Sequence, residues 1–91
     1  MITAIVLIHA ESDRIPETAQ ELADIDGVGE VYSCAGDVDL IAIVKVCDHE
    51  EIATVVTGRI NKTKGVLRTD THIAFKSYSS ADVEAGFSIG E

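Results

Sequence analysis

Two stretches of the chain are apolar on both sides when read with a period of two residues. From Ile2 to Ala10, one side carries Ile2, Ala4, Val6 and Ile8, and the other carries Ile5 and Leu7. From Leu40 to Cys47 the chain is almost wholly apolar and rich in β-branched residues. Strands of this kind are buried on both faces, so both stretches are predicted at the centre of a sheet. Two other stretches are more polar. Val28 to Ala35 contains Glu30 and Ser33. From Val66 to Ser77, Leu67, Thr69, Thr71, Ile73 and Phe75 alternate with Arg68, Asp70, His72 and Lys76. Both patterns predict edge strands with one half-exposed face.

Between the strands the period changes. Ile15, Ala19, Leu22 and Ala23 recur at helical spacing, with Glu17, Gln20 and Glu21 opposite. Asp13 is the expected N-cap, Pro16 falls in the first turn, and Gly27 supplies the break after Asp24. Asp48-His49-Glu50-Glu51 has the form of a capping box with Asp as cap. Ile52, Val55, Val56 and Ile60 then form the buried stripe of a second helix, which the Gly65 region closes. Gly36-Asp37-Val38-Asp39 separates two β-prone runs and reads as a hairpin. In the Ser/Ala/Gly-rich tail, Ser80 is the expected cap of a short helix through Ala85, with Phe87 and Ile89 docking on an apolar surface.

The resulting order is strand, helix, strand, strand, helix, strand. This is the split βαβ pattern of an α+β, ferredoxin-like fold with a four-stranded antiparallel sheet. Right-handed crossovers place the first and third strands side by side in the middle and both helices on one face. One apolar set from each central strand is then left uncovered; Ile5, Leu7, Ile41 and Ile43 are one option. Burying such side chains is worth roughly 1.5–3 kcal/mol each, and leaving them open makes a patch larger than soluble monomers tolerate. A second copy packed sheet to sheet, a dimeric α/β barrel, resolves this.

Composition narrows the function. Ninety-one residues make one domain, here 1–77, with 78–91 as its tail. A formal net charge of −9 repels phosphate, so neither nucleic acid nor an anionic membrane is an expected direct partner. Lys62, Lys64 and Arg68 are the only local group of cations and read as a solvated helix end. With 4% aromatic residues there is no base-stacking platform. No apolar run approaches the roughly 20 residues of a membrane span, and no signal peptide is visible, so a cytoplasmic location is expected. Cys34 would face Ile41 across a hairpin turning at Asp37-Val38, with Cys47 about 20 Å further along, so no disulfide is expected. Both read as small buried apolar groups. His9, His49 and His72 share no metal-ligand spacing; His9 and His72 approach each other only if the first and last strands are neighbours. A phosphate loop, a nucleophile elbow and a Cys-x-x-Cys are all lacking, so neither a cofactor nor a metal is expected.

Gly27-Val28-Gly29-Glu30-Val31, Gly36-Asp37-Val38-Asp39-Leu40, Gly65-Val66 and Thr69-x-Thr71 together resemble the effector-binding (RAM) domain of the Lrp/AsnC family of feast/famine regulators. The resemblance covers roughly residues 2 to 77. Val38 stands where the family usually has an aromatic residue, and Lys64 where it often has Pro. A helix-turn-helix normally precedes this domain in the family, so a chain that begins at the first strand reads as a stand-alone version. The resemblance implies a non-enzymatic regulator that dimerises through its sheet, assembles further into a ring of dimers and works with full-length members of the family. It also implies an amino acid bound between dimers by the positions of Gly36, Asp37, Asp39, Thr69 and Thr71. The chemistry suits a zwitterion: Asp37 or Asp39 for the ammonium, backbone N–H groups near Gly36 and the two threonine hydroxyls for the carboxylate. On local sequence alone, the aspartates are equally ordinary turn residues and the threonines ordinary strand residues. Two other readings stay open: a cofactor-free monooxygenase-like enzyme of the dimeric barrel type, and an assembly module without ligand.

Overall fold

The computed structural model describes residues 1–80. Strand β1 (Ile2–Ala10) leads through a 3₁₀ turn (Ser12–Arg14) into helix α1 (Ile15–Ala23). Strands β2 (Val28–Ser33) and β3 (Leu40–Val46), helix α2 (His49–Gly58), a second 3₁₀ turn (Ile60–Lys62) and strand β4 (Val66–Ile73) follow. The sheet order is β2-β3-β1-β4 and every pairing is antiparallel. The two doubly apolar strands are therefore the central pair, as their patterns require. Of the expected helix from Ser80 through Ala85, everything after Ser80 lies outside the described residues, as do Phe87 and Ile89.

Register assigns the two apolar sets to opposite faces. Ala4, Val6 and Ile8 pair with Val44, Ala42 and Leu40, and all six are fully buried beneath the helices. Leu22 of α1, Ile52, Val55 and Val56 of α2, and Ile60 complete this core. On the other face, Ile5 lies opposite Ile43 and Leu7 opposite Ile41, all four half-buried. Nothing among the described residues covers them from above, so they are the open set. α1 is pinned by Thr18, which is fully buried and donates its hydroxyl to the Lys64 carbonyl at 3.1 Å. Gly65 beside it has φ +97°, and a Cβ there would collide with the Thr18 hydroxyl. Glycine is needed at this turn for both reasons.

Several local expectations are corrected. Asp13 lies inside the first 3₁₀ turn and does not cap α1; Arg14 holds the cap position without a side-chain bond. The chain enters the helix through the tight turn closed by Arg14 N–H to Glu11 O at 3.0 Å. Pro16 does fall in the first helical turn. Asp48 caps α2 as expected, accepting from Glu51 N–H at 3.0 Å, but Glu51 reaches back to Cys47 N–H at 2.7 Å, one residue before the cap. α2 stops at Gly58 rather than near Gly65, and the second 3₁₀ turn carries Ile60 into the core. β2 ends at Ser33 and β4 at Ile73, short of Ala35 and Ser77, because their partners run out: Ser33 pairs with Leu40, which opens β3, and Ile73 with Ala4 near the start of β1. A bulge at His9/Ala10 pairs Ala10 with Val66 and His9 with Arg68, which leaves Leu67 unpaired and 64% exposed. Cys47 is exposed rather than buried, and Cys34 faces Asp39, not Ile41, through a 2.9 Å bond from its N–H to Asp39 O. Both thiols are free. Among the described residues no helix is long and apolar enough to cross a membrane.

Candidate functional site

The hairpin between β2 and β3 closes at Cys34 and Asp39, so its loop is Ala35 to Val38, one residue earlier than the sequence implied. Gly36 sits at the exposed tip with φ +126°, in the left-handed region that other residues avoid. Asp37 beside it is exposed. Asp39 is half-buried and holds the end of β1: its N–H donates to Ile8 O at 3.0 Å and its Oδ2 accepts from Ala10 N–H at 2.9 Å. A carboxylate bonded to a backbone N–H is a charge-assisted contact. One oxygen of Asp39 is therefore committed to the fold, which leaves Asp37 as the carboxylate of this loop that faces only solvent.

Thr69 and Thr71 pair with Ile8 and Val6, so they stand on the helix side of the edge strand β4, both half-buried. The Thr69 hydroxyl donates to Asn61 Oδ1 at 2.6 Å. Asp39 and Thr69 thus flank the same end of β1, one from the β3 side and one from the β4 side, about two strand spacings or roughly 10 Å apart. Thr71 lies one step, roughly 7 Å, toward the middle of the sheet. The structure brings Asp39 and Thr69 to one rim, with Gly36 and Asp37 projecting beyond it. Thr71 stands back from that rim, so the five positions do not gather around a common point.

The pairings around these positions were not read from the sequence. Arg68 is a strand residue of β4, not part of a helix end with Lys62 and Lys64, and its Nη2 lies 2.9 Å from His9 Nε2. A guanidinium only donates, so this bond requires Nε2 to accept and places the ring proton on Nδ1. His72 faces Ile5 on β1 and lies 3.4 Å from Asp70, so His9 and His72 do not meet although their strands are neighbours. Asn61, the partner of Thr69, carried no signal in the sequence. On the open face at the other edge, the Tyr32 hydroxyl donates to Glu30 at 3.0 Å. That hydrogen bond first, then the carboxylate's charge, pushes the Tyr32 phenol above its ordinary pKa.

A split βαβ sheet with both helices on one face and an uncovered apolar face on the other places the chain in the ferredoxin-like α+β class. Within that class it belongs to the Lrp/AsnC ligand-binding domain family, whose model matches residues 3–83. It is 36% identical over 76 residues to an uncharacterised HTH-type transcriptional regulator of Pyrococcus furiosus, a match covering 80% of this chain and 51% of that protein. The chain thus spans about half the length of the curated relatives it matches. A crystal structure of a Thermus thermophilus protein superposes with a TM-score of 0.81 at 43% identity, covering 87% of this chain and 99% of that one. A transcriptional regulator of Neisseria meningitidis, solved as its L-Met complex, shares the fold with a TM-score of 0.77 at 14% identity, over 86% of this chain and 52% of that one.

Proposed function

We propose that this chain is an effector-binding and oligomerisation domain that serves transcriptional regulation, and that its effector is an amino acid. The observation that carries this is the Gly36-Asp37-Val38-Asp39 stretch set at the same sheet rim as Thr69, with Thr71 one step inward, in a chain of this family. Asp37 takes the ammonium by a charge-assisted bond, while Asp39 holds the loop in place. Backbone N–H groups near Gly36 and the Thr71 hydroxyl take the carboxylate, and the Thr69 hydroxyl joins them by turning from Asn61 to the ligand. Because these groups do not gather around a common point, the pocket is completed by a further copy. The L-Met complex of the Neisseria regulator supports the ligand class.

The chain dimerises through Ile5, Leu7, Ile41 and Ile43, whose apolar surface is otherwise left to water. Dimers assemble further into a ring and engage full-length regulators of the family in the cytoplasm. The domain is not an enzyme and, with a net charge of −9, does not itself bind DNA. Val38 in place of an aromatic residue removes one apolar wall, so affinity is micromolar to millimolar, roughly −8 to −4 kcal/mol.

A thermal-shift panel of the twenty amino acids tests this, since a ligand that binds only the folded state raises the melting temperature. Asp39→Ala abolishes the response, and so does Asp37→Asn, which disturbs no bond of the fold and isolates ligand contact from loop stability. If the wild type ignores every amino acid, or both variants respond as the wild type does, the site is wrongly assigned and the chain is an assembly module.

A further inference from the structure

The end of the sheet opposite the hairpin holds a different feature. A cavity of about 330 Å³ opens between the end of β3, the Asp26-Gly27 turn and α2. It lies at Val46, six residues along β3 from Leu40 and therefore roughly 20 Å from the hairpin rim. Val46, Val55 and Gly27 line it with hydrocarbon and backbone, and Asp26, Glu51 and Arg59 contribute charge of both signs.

The walls are fixed before any ligand arrives. The Lys45 N–H donates to Gly27 O at 2.9 Å and ties the turn to β3. A Cβ on Gly27, which has φ +100°, would come within 2.8 Å of a Val55 methyl, so turn and helix are already in contact. Glu51 is occupied by the Cys47 N–H. Arg59 and Asp26 are different. Among the described residues, neither side chain has a hydrogen bond or an ion pair, although both border one cavity. Arg59 thus keeps its guanidinium donors, and Asp26 its carboxylate acceptors, free of any polar contact among the described residues. A pocket with apolar walls and a few convergent polar groups is the ordinary form of a small-molecule site.

We propose that this cavity is a second ligand site, independent of the hairpin rim, which takes a small zwitterion with an aliphatic body. The ligand's carboxylate sits on Arg59 as a bidentate pair, its ammonium on Asp26, and its hydrocarbon against Val46 and Val55. Nothing in this assignment depends on the hairpin residues, so either site stands if the other fails.

The test is a titration of the full chain, followed by calorimetry and by methyl and amide NMR. The probes are α-amino acids with aliphatic side chains and ω-amino acids of increasing chain length. At least one probe is expected to shift the Val46 and Val55 methyl signals. Arg59→Gln is expected to weaken that binding about tenfold or more, the scale of one lost charge-assisted contact, and Asp26→Asn to weaken it for ammonium-bearing probes. Arg59 and Asp26 are surface residues, so both variants fold. Three results overturn the proposal: no probe moves Val46 or Val55, Arg59→Gln binds as the wild type does, or the shifts are confined to Gly36, Asp39 and Thr69. The last of these leaves the hairpin reading standing.

Discussion

The two faces of the sheet are made from the same two strands and nearly the same side chains, yet one is closed and the other open. Val6, Ile8, Ala42 and Val44 have no exposed surface, while Ile5, Leu7, Ile41 and Ile43, one residue away on the same strands, keep part of theirs. Hydrophobicity does not separate the two sets. The crossovers do, because both must be right-handed and so deliver both helices to one side. The closed face holds the fold together, and the open face is what a folded chain has left to offer a second copy.

Changes that test this contrast divide according to the face they touch. The largest effect is expected on the closed face. Val6→Asp buries a carboxylate with no partner and should remove ~4 kcal/mol or more, which leaves little folded protein. A cooperative thermal melt near that of the wild type would show that the helix side is less closed than it looks. Next comes Gly65→Ala, where a left-handed φ and the Thr18 hydroxyl both oppose a side chain, at about 2–4 kcal/mol in chemical denaturation. Gly36→Ala shares the positive φ but has nothing within 4 Å, so only backbone strain of about 1 kcal/mol is expected. Equal losses at the two glycines would mean that the contact with α1 contributes nothing.

On the open face the effect moves from folding to association. Ile43→Asp sits where side chains are only half-buried, so the monomer core is spared, but light scattering at micromolar concentration should give a monomer where the wild type is larger. A variant assembly of wild-type size would remove Ile43 from the interface. The smallest effect belongs to the edge of the same face. The bond to Glu30 favours the protonated Tyr32 phenol, so its contribution is present below the ordinary phenol pKa and fades as pH rises through the raised one. Glu30→Gln should bring the ultraviolet titration of Tyr32 back down toward the ordinary value; an unmoved midpoint would show that the bond is absent in solution.

Much of this was legible in the residues. The doubly apolar runs at Ile2–Ala10 and Leu40–Val46 identify the central pair, and the Glu30, Ser33 and Arg68–His72 patterns identify the edges. Asp48 announces the cap of α2 because its partner is three residues away. The failures share a cause. Leu67 leaves the alternation because of a bulge that depends on how β4 meets β1. Cys47 lies just past the end of β3, where burial depends on what packs there. Asp13 misleads because a 3₁₀ turn closed by Glu11 competes with a side-chain cap.

The same division runs through the candidate sites. The sequence by itself determined the order of elements, which strands are central, and that Gly36 and Asp37 lie in a hairpin turn, because each of these rests on residues a few positions apart. Only the tertiary structure decided that Ile5, Leu7, Ile41 and Ile43 are the uncovered set, that Asp39 clamps Ala10, and that Thr69 meets Asn61. It alone set Asp26 and Arg59 on one cavity. Those facts depend on strand register and on helix placement, which bring together residues far apart in the chain, and periodicity carries no record of which distant partner each residue will meet.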